Sequence, residues 1–347
     1  MIRRQDFVGE IKVLRRRTTN PPLRTWAGMG VVGLACLAAN LGLAIGSAAA
    51  RDCKLIRLGS ADLSVLNDRI LVQVTINDHP ARMLLDLASV ATLVERRYVN
   101  PLGLQVRSLS SHALHYDNLP ITQITELTSF GVGSLLFGKA GLFVFPDDAA
   151  PSAESEPIVG RVGMDALRDI DFELDFSNQK LNFYSPDHCT GAVVYWTDNY
   201  SSAELTRGPL GNYYFPIELE GKKVEASLST LGETTRLGTQ VTQRLYGFDE
   251  NSKDVETQTD SAGHPVAHFR AMALTGRGIT IRNAQIELVT GKADLCSLST
   301  KFMVAHYEDC KGAEAPLRLG LNVARRLHLY FATKERVLYF SDAAATK

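Results

Sequence analysis

Asp86 closes an aliphatic run in Leu84-Leu85-Asp86-Leu87-Ala88-Ser89, and Thr92-Leu93-Val94 follows it. A carboxylate at the end of a hydrophobic strand has two uses. It can act as a general acid or base on something bound beside it, or it can cap the turn by accepting backbone N–H groups. A second segment, Leu228-Ser229-Thr230-Leu231-Gly232, ends a similar run on a hydroxyl instead. Ser89 is placed to hydrogen-bond near Asp86 or simply to turn the chain. Asp165, in Gly-Met-Asp, and Asp175, in Leu-Asp-Phe, read as helix-capping and surface residues. His264 and His268 have a ligand-like spacing, but Pro265 lies between them in a strand-like stretch, so no metal is expected there. Tyr116, close to His112 and His115, reads as part of an exposed polar loop or a flap over a cleft. The chain has no Gly-x-Ser-x-Gly elbow for a serine hydrolase and no Gly-rich phosphate loop ahead of a helix, and none of these segments implies a cofactor.

The elements that must position these residues are short strands. Ile70 to Ile76 is β-branched and aliphatic and runs into a polar turn at Asn77 and Asp78, the pattern of a strand entering a hairpin. Similar runs recur at Leu127 to Val132, Leu142 to Phe145, Phe172 to Phe176 and Leu181 to Tyr184, broken by Gly, Pro, Asn and Asp. An all-β body with few helices follows. Asp147 to Pro157 reads as an acidic surface loop. Two internal matches then organise the chain. Val74 to Asp86 aligns without gaps on Ile217 to Ser229, each a strand, a tight turn and a strand. Arg161-Val-Gly-Met-Asp-Ala-Leu-Arg-Asp-Ile aligns on Arg318-Leu-Gly-Leu-Asn-Val-Ala-Arg-Arg-Leu, and Leu181 and Phe183 match Leu338 and Phe340. Two matches in the same order predict a duplication.

These residues resemble the retropepsin-like aspartic proteases of bacterial, membrane-associated or secreted type. In that family a hairpin ends in Asp-Thr-Gly-Ala/Ser, an aliphatic pair follows, and later an aliphatic-aliphatic-Gly strand leads into a short helix. The first half supplies Leu84 to Ser89, Thr92 to Val94, Ile158-Val159-Gly160 and Val162 to Leu167. The second supplies Leu228 to Gly232 and Leu319 to Asn322. The resemblance covers roughly residues 68 to 342. It implies a two-lobed, pepsin-like fold, a double retropepsin-like arrangement, with an N-terminal hydrophobic helix ahead of it. The implied organisation is a basic segment plus signal peptide or anchor over 1–50, a first lobe over 51–190, a linker over 191–211 and a second lobe over 212–347.

The family's chemistry needs two carboxylates close enough to share a proton, one acting as base toward water and the other as acid toward the developing oxyanion. By the resemblance, Asp86 is the first of these and Ser229 stands in the place of the second. A Thr beside each Asp would lock the loops together and a Gly would allow their close approach. Here those places hold Leu87 and Ala88 in the first half, Thr230 and Leu231 in the second. Ser89 and Thr230 are the implied binding residues. The expected function is therefore an aspartic protease-like protein of the cell envelope, an aspartic-type endopeptidase by resemblance, with hydrolysis impaired by Ser229. The alternatives are a pseudoprotease that binds peptides or envelope proteins without cleavage, and a structural envelope module.

Charge and cysteines bound the setting. Seven of the 37 Lys and Arg and two of the 38 Asp and Glu lie in residues 1–50, which leaves a mildly acidic body and argues against a nucleic-acid partner. The basic stretch containing Arg3, Arg4 and Arg15 to Arg17 precedes an uncharged run from Ala27 to Ala50, read as a signal peptide or a membrane anchor. An extracytoplasmic location, in the periplasm or anchored to the membrane, would let Cys53, Cys189, Cys296 and Cys310 form two disulfides. The short separation of Cys296 from Cys310 favours that pair. Cys53 and Cys189 then bracket the first lobe. The expected partner is a peptide or protein ligand.

Overall fold

The computed structural model describes residues 53–345 apart from 90, 110–114, 117–118, 146–156, 209–211, 248–254, 260–264, 277–278 and 290–316. The N-terminal hydrophobic segment, the loop at 147–157, His264 and the Cys296/Cys310 pair lie outside these residues or reach into the gaps between them. Residues 51–347 form one compact unit.

The unit is mostly β. Its first twelve strands are β1 Arg57–Leu66, β2 Arg69–Ile76, β3 His79–Leu85, β4 Leu93–Glu95, β5 Val106–Ser108, β6 His115–Tyr116, β7 Leu119–Pro120, β8 Gln123–Val132, β9 Leu135–Phe145, β10 Ile158–Val162, β11 Asp171–Asp175 and β12 Lys180–Tyr184. The remainder are β13 Ser201–Glu204, β14 Thr206–Arg207, β15 Tyr213–Leu219, β16 Lys222–Leu228, β17 Thr235–Gly238, β18 Val255–Thr259, β19 Pro265–Gly276, β20 Ile279–Val289, β21 Leu317–Leu319, β22 Leu327–Ala332 and β23 Val337–Asp342. Helices are short: α1 Arg96–Val99, a 3-10 turn Met164–Ala166, α2 Thr239–Tyr246 and α3 Leu321–Ala324.

Both halves close a ring of strands in the same order. In the first, β2, β3, β10, β4, β9 and β8 are neighbours in turn, and β8 pairs back onto β2. In the second the order is β15, β16, β21, β17, β20 and β19, with β19 returning to β15. The parallel pairs also correspond: β3 with β10 and β4 with β9, β16 with β21 and β17 with β20. The repeated hairpins of the sequence are β2–β3 and β15–β16. Their turns hold Asn77 and Asp78 at φ 47° and 67°, and Glu220 and Gly221 at φ 50° and 73°, the left-handed pair that a two-residue hairpin turn needs to match strand twist.

Between the rings, β11 and β22 pair antiparallel with Glu173 opposite Tyr330. Phe172 and Leu174 point into the main apolar core, where Phe172 stacks on Phe331 at 4.5 Å. Asp171, Glu173 and Asp175, on the alternate positions, are buried as well. Residues 185–200 cover them, pinned by a disulfide between Cys53 and Cys189 with Cα atoms 5.0 Å apart. Within the stretch expected as a linker, Val193 and Trp196 are buried, β13 pairs with β23 and β14 with β15. Asp175, expected at the surface, is 6% exposed for the same reason.

Candidate functional site

Two turns meet between the halves. β3 ends at Leu85, and the Asp86 N–H donates to Val162 O at the end of the parallel neighbour β10 (2.9 Å). β16 ends at Leu228, and the Ser229 N–H donates to Leu319 O at the end of β21 (2.8 Å). Asp86 and Ser229 therefore occupy the same place in two equal frameworks. Each framework relies on a glycine just past the short strand: a Cβ on Gly163 would sit 2.4 Å from Ala91 O, and one on Gly320 would sit 2.4 Å from Glu233 O. Each is also tied by a threonine. Thr92 Oγ1 donates to Asp165 (2.6 Å) and accepts the Gly163 N–H (3.1 Å), while Thr235 Oγ1 donates to Asn322 (2.6 Å) and accepts the Gly320 N–H (3.0 Å). Burial pushes the Asp165 carboxyl above its usual range, against the hydrogen bonds from Thr92 and Ala166 that favour its charged form.

Thr230 joins the two turns. Fully buried, its hydroxyl donates to Leu85 O (2.5 Å) and accepts the Leu87 N–H (3.1 Å), and its carbonyl accepts the Ile70 N–H (3.0 Å). The reciprocal bond is missing because Leu87, at the matching place, carries no hydroxyl.

The Asp86 carboxylate is enclosed, at 6% residue exposure. Its Oδ1 accepts the N–H groups of Ala88 (3.2 Å) and Ser89 (3.1 Å), the turn-capping use of an Asp. Its Oδ2 faces the Arg161 guanidinium at 3.4 Å. The Ser89 hydroxyl points elsewhere and donates to Ala91 O (2.8 Å). Of the four residues singled out from the sequence, the fold brings Asp86, Ser229 and Thr230 to one junction and uses Ser89 to shape the turn beside it.

Arg161 escaped sequence reasoning, although a signal existed: Arg161 and Arg318 align in the repeat, each a cation inside an aliphatic strand. A second buried polar group was also missed. His188 bonds Asp171 through Nε2 (2.6 Å) and lies 3.2 Å from Glu335 through Nδ1. Thr333 and Tyr330 add further bonds to Asp171. Glu173 accepts from Asn182 (2.6 Å), Tyr184 (3.0 Å) and Tyr195 (2.9 Å) and meets His328 at 2.7 Å. Trp196 stacks on the His328 ring at 4.1 Å. Burial raises the Asp171 carboxyl. It also works to lower His188, but the Cys189 carbonyl, Asp171 and Glu335 outweigh it and hold His188 above its ordinary value. Tyr195, desolvated and close to Glu173, is pushed up to about 12.

At the junction the chemistry available is one carboxylate already engaged through both oxygens, a neutral hydroxyl in the corresponding place, the half-buried Arg161 guanidinium and the buried Arg318. Among the described residues no cluster of three or more His, Cys, Asp or Glu side chains could hold a metal ion, and no helix is long and apolar enough to cross a membrane.

No protein-family model matches this sequence, and no curated protein matches it. Among solved structures the chain is similar to conglutin gamma, a basic 7S globulin from lupine seeds, with 11% identity over 83% of this chain and 95% of that one and a TM-score of 0.45. A likeness at that level carries no argument about fold family or activity.

Proposed function

We propose that this chain is an exported protein with a two-lobed, pepsin-like fold of two retropepsin-like halves, and that it holds an extended peptide or protein segment at the lobe junction without cutting it. The observation that carries this reading is the asymmetry of the two turns. Asp86 is capped by its own turn and paired with Arg161, while the matching place holds Ser229. Two carboxyls that share a proton are needed to activate water and to protonate the oxyanion together. A serine hydroxyl supplies neither a basic carboxylate nor a shared proton. The identical strand order of the two rings and the Thr230 bonds between turns support the pepsin-like assignment.

Binding without hydrolysis fits what remains. A junction held by backbone bonds is rigid, and an extended ligand can pair its own backbone with strand edges while its side chains enter pockets. The Cys53–Cys189 disulfide fits an oxidising, extracytoplasmic compartment, and the basic stretch followed by an uncharged run at the N-terminus fits export, with membrane attachment where that segment is retained. No cofactor is called for.

The test is a pair of measurements on the full-length chain: hydrolysis of an unfolded protein substrate from acidic to neutral pH, and calorimetric titration with a library of extended peptides. Saturable binding with no turnover is expected. Pepstatin-sensitive turnover abolished by Asp86→Asn would overturn the non-hydrolytic reading, and absence of any peptide binding would leave only a structural module.

A further inference from the structure

Cys53, three residues after the uncharged run from Ala27 to Ala50, is tied to the folded unit by its disulfide with Cys189. As a helix, the 24 residues of that run would measure about 36 Å, more than the roughly 30 Å hydrocarbon core of a bilayer. Three extended residues reach no more than about 11 Å. A chain held in a bilayer by the run therefore keeps Cys53 close to the lipid.

The surface that follows Cys53 is apolar. Ile56 and Leu58 are 51% and 42% exposed, and Leu136, at 70%, is the most exposed large hydrophobic side chain among the described residues. The turn between β8 and β9 brings Leu136 to the other two. The Ser134 N–H donates to Ser60 O (2.9 Å), and a Cβ on Gly59 would sit 3.0 Å from the Leu135 nitrogen, so residues 58–60 run beside 134–136. Lys54, Arg57 and Lys139, each within three residues of these positions in the chain, are exposed too. Apolar side chains flanked by Lys and Arg suit the interface of a membrane that carries anionic lipids.

We propose that Ile56, Leu58 and Leu136 form a membrane-docking face that lies against the lipid surface, with Lys54, Arg57 and Lys139 meeting anionic headgroups. It rests on retention of the N-terminal segment, the attachment proposed above. Docking removes from water an apolar surface that the fold leaves uncovered, and the short leash from Ala50 to Cys53 holds that surface within reach of the bilayer.

The test uses the full-length chain with Trp26→Phe, reconstituted in vesicles of phosphatidylcholine and phosphatidylglycerol with plain or brominated acyl chains. Bromine quenches a tryptophan that enters the interface. The emission added by Leu136→Trp is expected to fall at least about twofold in brominated vesicles. Val106→Trp is the control, because Val106 is exposed but pairs with Thr125, about 30 Å along β8 from the turn at Ser134. Its added emission should be unchanged. Melting curves report whether the variants fold, and Leu58→Trp serves in place of Leu136→Trp if the latter does not. Flotation with vesicles after alkaline carbonate, with neither tryptophan quenched, would keep the attachment and overturn the docking face. Failure to float would remove the attachment and the docking face together. A blue shift of the added emission that grows with the protein-to-lipid ratio, without quenching, would assign the face to a second copy of the chain and overturn the proposal.

Discussion

The turn at Asp86 and the turn at Ser229 share a backbone and differ in chemistry. Each N–H at the turn reaches the end of the neighbouring parallel strand, at 2.9 and 2.8 Å, and each framework is braced by a threonine hydroxyl, Thr92 in one and Thr235 in the other. Yet one turn carries a carboxylate paired with Arg161 and the other a hydroxyl. Backbone bonds hold the geometry of such a junction whatever side chain sits at its tip, so the frame is the same with a carboxylate or a hydroxyl there. Form at this junction is therefore poor evidence for catalysis.

The comparison can be broken most forcefully at Arg161. Arg161→Gln leaves the Asp86 carboxylate buried without its cation and should cost about 3 kcal/mol in urea unfolding. Adding Asp86→Asn should recover part of that loss, because the uncompensated charge is then removed.

Thr230→Val should come next, at about 2 kcal/mol, since it leaves Leu85 O and the Leu87 N–H without their buried partner. Leu87→Thr sharpens the same point from the other side. It should supply the reciprocal hydroxyl while removing the apolar contacts that the buried Leu87 makes in the main core, and an equal shift of the urea midpoint in the Thr230→Val and unaltered backgrounds would show that the two turns do not compensate for each other.

Ser229→Asp makes the two tips alike. No peptidase activity toward an unfolded substrate is expected from it. Catalytic geometry tolerates errors of about half an ångström. Leu87, Ala88 and Leu231 still deny the turns the hydroxyl lock and the close approach. On the proposed pepsin-like reading, cleavage at acidic pH is expected only when Ser229→Asp, Leu87→Thr, Ala88→Gly and Leu231→Gly are combined.

The smallest effect concerns the polar cluster under residues 185–200, which the junction does not share. The folded-state pKa of His188 lies above its ordinary value of 6.5. Its contribution to stability is therefore fully present below 6.5 and is lost as pH rises through the raised value. The melting temperature of the protein relative to His188→Gln should fall over that window by a few degrees. A gap that widens with rising pH would contradict the assignment.

The two hairpins were legible in the sequence because strand runs and tight turns are local. Val74 to Asp86 and Ile217 to Ser229 fall on β2–β3 and β15–β16, and the strand-Gly-helix match falls on β10 with its 3-10 turn and β21 with α3. The Cys53–Cys189 disulfide also forms as predicted, since the two cysteines flank one run of strands. The Arg161–Asp86 pair was not legible. It depends on β10 lying beside β3, a contact between segments 75 residues apart.

Alternation misled at β11. Asp171, Glu173 and Asp175 alternate with Phe172 and Leu174, a pattern that ordinarily sets one strand face against water. Here His188, Tyr195 and Trp196 of the covering segment, with His328 and Tyr330 from β22, exclude that water and supply the bonds it would have made.

By itself the sequence determined the strands, their turns, the duplication and the identity of the residues at each turn tip, because side-chain period and turn chemistry act over a few residues. Only the tertiary structure decided which charges would meet. Burial and pairing depend on neighbours far away in the chain, and these made Asp86 the partner of Arg161, joined the two turns through the Thr230 hydroxyl, and enclosed three carboxylates that sequence alone would leave in solvent.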